Sequence, residues 1–191
     1  IMRALPNFQV LSPADHITAA KLFDGCVSSN GLKYLRFDAQ ILPVIYEAGP
    51  PKISDGFHVH QQGEKICLIA TGYMLHTAFQ VANEIAKDGE KLGVIDIFNL
   101  THFSADRLKT VLAPYSAIVS CEEGFRGRGG LDAMLFEFIA KSNLNVKTLS
   151  IGVEPGYSFE LGSRIELHEK VGIGIQSILK KVRPFIQTIP N

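Results

Sequence analysis

Residues 65–98 read KICLIATGYMLHTAFQVANEIAKDGEKLGVIDIF. KICLIATG is a near-continuous apolar run, as expected of a strand buried on both faces of a sheet. From about Tyr73 to Lys87 the apolar residues move to helical spacing, with Leu75, Phe79, Ala82 and Ile85–Ala86 on one stripe. LGVIDIF then returns as a strand, which completes a strand–helix–strand unit of the kind that builds parallel sheets.

The same alternation continues toward the C-terminus. Ser104 to Leu112 reads as a helix with a serine cap, AIVSCE as a strand, Leu131 to Lys141 as a helix and VKTLSI as a strand. Late helices are expected over roughly Arg164 to Val171 and Ile173 to Phe185, the second stopped near Pro184. Upstream, FHVHQQ alternates apolar and polar like an edge strand. Residues 46–56, YEAGPPKISDG, combine two glycines with a Pro-Pro pair and read as a linker. Before it, Phe8 to Leu11 is a short buried strand and Ala14 to Phe23 a helix capped by Asp15. LKYLRF is a second strand beyond Gly31. The expected fold is a three-layer α/β/α arrangement, a mostly parallel sheet with one antiparallel edge strand, preceded by a partial β-α-β unit.

Composition narrows the function. Of 191 residues 46% are apolar, which suits a buried core. Nineteen basic residues balance nineteen acidic ones, so no global field draws nucleic acid or an anionic membrane. FRGRGG occurs once, inside a folded pattern, and reads as a loop rather than an RNA-binding tract. No apolar run has membrane-spanning length and no signal peptide is evident. Cys26, Cys67 and Cys121 are scattered, and a reduced cytoplasmic setting is the expectation. The opening, Ile before Met and then a strand almost at once, reads as a cut edge.

Three places are candidates for chemistry. In VSCEEGFRGRGGLDAMLFEFI, residues 119–139, a glycine-rich loop lies between a strand and a helix, where backbone N–H groups can cradle an anion. It spells neither a dinucleotide fingerprint nor a P-loop, and Glu122 and Glu123 would repel a phosphate. Gly129 and Gly130 are therefore read as serving a tight turn. His58, His60, Cys67 and His76 raise a metal site; His58 and His60 share a strand face, but Cys67 belongs to an interior strand and His76 to a helix, so surface or edge-strand histidines are the preferred reading. Nucleophile elbows are absent, and no cysteine has an electropositive setting. Arg36 ends a strand, where ligands of open α/β sheets collect, and can either hold a phosphate or form an ion pair with Asp38.

Several segments together resemble the C-terminal third of transketolase. RALPNFQVLSPAD at 3–15 is similar to a stretch near the end of that family's pyrimidine-binding domain. YLRFDAQILPVI at 34–45 resembles its strand whose arginine is followed by a Gln/Leu/Pro run. Residues 66–100 look like the start of its C-terminal domain, and VSCEEGFRGRGGLDAML matches its acidic pair, variable loop and Gly-Gly-Leu. The four occur in family order and span nearly the whole chain. One departure is Asp132, where the family commonly has glycine.

The resemblance implies residues 1–45 as the end of a pyrimidine-binding domain, 46–56 as a linker and 57–191 as a transketolase C-terminal domain. It implies an enzyme that uses thiamine diphosphate and Mg2+ to move a two-carbon ketol unit between sugar phosphates, as in the pentose phosphate pathway. The family's Gly-Asp-Gly metal–diphosphate motif does not occur here, and its cofactor-activating glutamate and substrate-contacting histidines lie upstream of the matched region. Only Arg36 falls on a functional family position, a contact to the sugar phosphate. The implied role is dimer and structural support plus that one contact: no catalytic residue, no metal or cofactor bound by this chain alone, and no activity alone. Implied partners are the remaining transketolase domains or an N-terminal subunit, in a homodimer. Alternatives are a piece of deoxyxylulose-phosphate synthase, a 2-oxoacid dehydrogenase E1 β-subunit, or a freestanding interaction module without catalysis. A flavodoxin-like or dinucleotide-binding domain lacks its phosphate fingerprint. Against the synthase, YLRFDAQ lacks a Tyr-Pro-Arg-Gly run; against the dehydrogenase, Gly-Gly-Leu after the acidic pair is nearer transketolase.

Overall fold

The computed structural model describes residues 1–190. A five-stranded sheet is built from β3 (Phe57–Gln61), β4 (Ile66–Ala70), β5 (Gly93–Ile97), β6 (Ala117–Phe125) and β7 (Lys147–Val153), in the order β3-β5-β4-β6-β7. β3 runs antiparallel to β5 at one edge, and every other pairing is parallel. Alternation along β4 divides the core. Ile66, Leu68 and Ala70 face α2 (Met74–Ala86) and α6 (Ile175–Gln187). Cys67 and Ile69 face α3 (Ala105–Leu112) and α4 (Leu131–Ser142). All five β4 residues are buried, and each large one contributes about 1.5–3 kcal/mol by leaving water. Helices on both faces of a mostly parallel sheet confirm the three-layer expectation.

Ahead of this sheet, β1 (Phe8–Leu11), α1 (His16–Ser28) and β2 (Leu32–Leu35) form a β-α-β unit with parallel strands. The other edge of β1 joins the larger sheet's loops, Ser12 N–H donating to Phe98 and Leu100 N–H to Val10. Asp15 caps α1 as expected, accepting from the Thr18 N–H at 2.8 Å. The helix runs past Phe23 and Gly25 to Ser28. A helical glycine costs only about 1 kcal/mol, and the hydroxyls of Ser28 and Ser29 take up the carbonyls of Asp24 and Gly25.

Two further boundaries differ from the sequence reading. β6 does not stop at the acidic pair but continues to Phe125, shifting register beyond Cys121. Pro184 lies inside α6 instead of ending it. Its ring costs the bond that residue 184 would give to Lys180, on an exposed side. Phe185, Ile186 and Ile189 still dock on the core and carry the helix onward. Among the described residues no helix is long and apolar enough to cross a membrane.

Candidate functional site: the cleft at the strand carboxyl ends

The glycine-rich loop holds an anion of its own. Glu122, almost fully buried near the end of β6, reaches back to the first turn of α4 and accepts the Asp132 N–H at 3.1 Å. The Leu131 amide also bonds it. Burial pushes the Glu122 carboxyl up against the pull of these amides; Asp132's charge adds to the rise and Arg36 opposes it. Gly130 is required because a Cβ there would stand 2.6 Å from Cδ of Glu122, and Gly129 turns the chain at φ 86°. On the loop's other side the Arg3 guanidinium donates to the carbonyls of Gly129 (2.5 Å), Gly130 (2.8 Å) and Leu100 (3.1 Å). Asp132, the residue that departs from the family pattern, accepts from Gly127 N–H at 2.7 Å and Ala133 N–H at 2.6 Å. The helix N-terminus, a ready site for a phosphate, is satisfied by two carboxylates of the chain itself.

The histidines are not gathered for a metal. Among the described residues no group of three or more His, Cys, Asp or Glu side chains is placed to hold an ion. His58 and His60 do share one face of the edge strand, their ring centroids 4.6 Å apart, but they are half-buried rather than on the surface. Both contact the Tyr46 ring, and His60 also contacts Phe79. Burial lowers the affinity of both for protons, His60 to about 4. His76 bonds the Ala14 carbonyl at 2.7 Å. Cys67 and Cys121 are buried apolar fillers, and burial pushes the Cys121 thiol up to about 12.

Arg36 stands one residue past β2, its N–H bonded to Leu11 at 2.8 Å and its side chain exposed. It lines a cleft of about 80 Å³ together with Ser12, Asp38, Thr71, Tyr73 and both acids, Glu122 and Glu123. This cleft lies at the carboxyl ends of β4 and β6. The connections leave these two strands toward opposite sides of the sheet, the position where such sheets bind ligands. The alternative role for Arg36, an ion pair with Asp38, is not what the structure forms. Asp38 is held instead by Arg164 of α5 (Arg164–Lys170), whose Nη2 lies 2.8 and 3.0 Å from the two carboxylate oxygens. Arg164 also lies over the Tyr73 ring at 4.2 Å, and Glu123 is bonded by His168 at 3.0 Å. Among the described residues Arg36 enters no ion pair, which leaves its guanidinium available. Sequence reasoning missed Arg164: it lies 126 positions from Asp38, and no local spacing marks the pair.

Known relatives agree with this architecture. The chain is 23% identical over 179 residues to an apulose-4-phosphate transketolase subunit of Actinobacillus succinogenes, covering 94% of this chain and 57% of that protein. It is 27% identical over 186 residues to 1-deoxy-D-xylulose-5-phosphate synthase of Aquifex aeolicus, covering 95% of this chain and 29% of the synthase. In structure it is similar to a split-gene transketolase solved as an inactive β4 tetramer, with a TM-score of 0.88 at 22% identity over 99% of this chain and 60% of that one. It therefore spans a little over half of the subunit-sized relatives and under a third of the synthase. Residues 56–178 match the family described as transketolase, C-terminal domain, and the chain belongs to that family.

Proposed function

We propose that the chain is the C-terminal portion of a thiamine diphosphate-dependent transketolase in the pentose phosphate pathway, moving a two-carbon ketol unit between sugar phosphates. It supplies structural support, a share of the dimer interface and one substrate contact, Arg36 to the sugar phosphate. The observation that carries this role is the exposed guanidinium of Arg36 at the strand carboxyl ends, which forms no ion pair among the described residues because Arg164 takes Asp38. Residues 1–45 are assigned to the end of a pyrimidine-binding domain, 46–56 to the linker and 57–191 to the C-terminal domain. A cytoplasmic location goes with this assignment.

The residues of this chain do not fit thiamine diphosphate. A diphosphate with its divalent ion needs oxygen ligands and free backbone donors. The α4 N-terminus is already taken by Glu122 and Asp132, and no cluster of three or more His, Cys, Asp or Glu side chains is placed to hold a metal among the described residues. The cofactor site is assigned to the remaining transketolase domains or an N-terminal subunit. Support for such a partner comes from the N-terminal unit, since two strands and one helix are too few to bury their own apolar surface. Phe23, Val27, Leu32 and Phe37 are each more than half exposed there. A second apolar row, Tyr157, Phe159 and Leu161, is over nine-tenths exposed and suits the homodimer.

Calorimetry on the isolated chain tests this division of labour. Thiamine diphosphate with Mg2+ should give no saturable heat; saturable binding would place the cofactor site here and overturn it. A synthase-type activity is the second reading, favoured by the 27% identity to the Aquifex synthase.

A further inference from the structure

Tyr46 begins the 46–56 segment, and its side chain is buried against the sheet. Its hydroxyl donates to Oδ2 of Asp96 at 2.7 Å. Asp96 is 0% exposed in β5, and its other oxygen, Oδ1, has no hydrogen-bond partner among the described residues. Among the described residues no lysine or arginine is paired with it, and the basic groups facing it are two histidines whose affinity for protons burial lowers. Directly opposite in the register is His58 of β3, with His60 beside it, its Nε2 likewise buried without a partner. From the start of α1 comes a second acid, Asp15, which accepts the N–H groups of Thr18, Ile45 and Tyr46. β4 contributes Ala70 alongside, and α2 contributes Phe79 against His60.

We propose that Tyr46 on Asp96 is a proton-linked latch, which fastens the 46–56 segment to the sheet while Asp96 is neutral and loosens it when Asp96 ionises. A buried carboxylate with one neutral donor and another acid nearby is costly to charge. The cheapest relief is water, and the group in its way is the Tyr46 ring. That ring is attached to a segment held near this point by the two amide bonds to Asp15 and a turn from Gly49 to Tyr46. β4 and α2, by contrast, are locked in the core. Burial foremost, with Asp15 adding, pushes Asp96 up to about 7 although the Tyr46 bond pulls the other way. His60 stays neutral over the same range, so it supplies no compensating charge. The β-α-β unit and the five-stranded sheet are thus joined through a contact sensitive to near-neutral pH. This inference does not depend on ketol transfer.

Hydrogen–deuterium exchange of the protein between pH 6 and 8 tests the latch, with residues 45–56 normalised to β4 so that intrinsic rates cancel. The neutral fraction of a group titrating near 7 falls roughly tenfold over this range, and protection of 45–56 should fall with it. In Asp96→Asn the ratio should stay flat. An unchanged ratio in the wild type, or a fall that persists in Asp96→Asn, overturns the latch. Should the variant fail to fold, infrared spectroscopy of the wild type decides: a buried carboxylic acid band must be present at pH 6 and vanish in step with the exchange. No such band at pH 6 would equally overturn the proposal.

Discussion

The carboxylate of Glu122 occupies the space that any side chain at Gly130 would need, with Cδ 2.6 Å from the position of a Cβ. Gly130 has φ −81° and ψ −148°; that ψ lies outside the basins open to most residues, and the crowding by Glu122 adds a demand for room to it. Gly130→Ala should destabilise the protein by about 1–3 kcal/mol, the usual cost of overpacking. Urea unfolding of the double variant isolates the cause: with Glu122→Ala in place, the same substitution should cost much less. Equal costs in both backgrounds would show that Glu122 is not the obstacle.

Glu122→Ala alone should weaken the protein by about 0.5–2 kcal/mol, as losing a helix cap does. Exchange protection should fall first at Leu131 and Asp132, whose amides lose their acceptor. A loss spread evenly over the fold would contradict a local capping role.

Stability should carry an unusual dependence on pH. Asp96 binds its proton more tightly in the folded protein, with burial raising it from 3.8 to about 7. The folded state then holds more protons between those values, so this contribution is complete at low pH and is lost as pH rises toward 7. His60 works in the opposite sense: lowered from 6.5 to about 4, it costs stability as pH falls through that window. Asp96→Asn removes only the first effect. Measured by urea unfolding, its stability relative to wild type should increase from pH 4.5 to 7 and then level off. A difference independent of pH would mean that Asp96 is ionised in the folded state throughout.

Arg36→Ala in the complete enzyme should raise KM for phosphorylated sugars while sparing unphosphorylated ones. One charge-assisted contact is worth about 1.5–3 kcal/mol, or roughly a 10- to 150-fold change in kcat/KM. Equal damage to both kinds of substrate would make Arg36 a structural residue.

Much of the fold was legible because it rests on short-range pattern. The β4 run, the α2 stripe, the antiparallel edge at β3 and the Asp15 cap can each be read from a dozen neighbouring residues. Pro184 misled because a proline in a last exposed turn loses one bond that water replaces, while Phe185 and Ile186 beyond it hold the helix down. The candidate site was less accessible. Arg36 could be singled out from its place at a strand end, but what frees it is the pairing of Asp38 with Arg164, set by the docking of α5. The capping of α4 by Glu122 needed β6 to extend beyond the acids and turn back. Tyr46 and Asp96 lie fifty positions apart, with no periodicity to link them.

The most direct measurement is turnover by the complete assembly, this chain together with the remaining domains or subunit, supplied with thiamine diphosphate and Mg2+. Xylulose 5-phosphate with an aldose phosphate acceptor should be consumed with two-carbon transfer, and the chain alone should be inactive. Condensation of pyruvate with glyceraldehyde phosphate in place of ketol transfer, or no thiamine-dependent reaction at all, would contradict the proposed function.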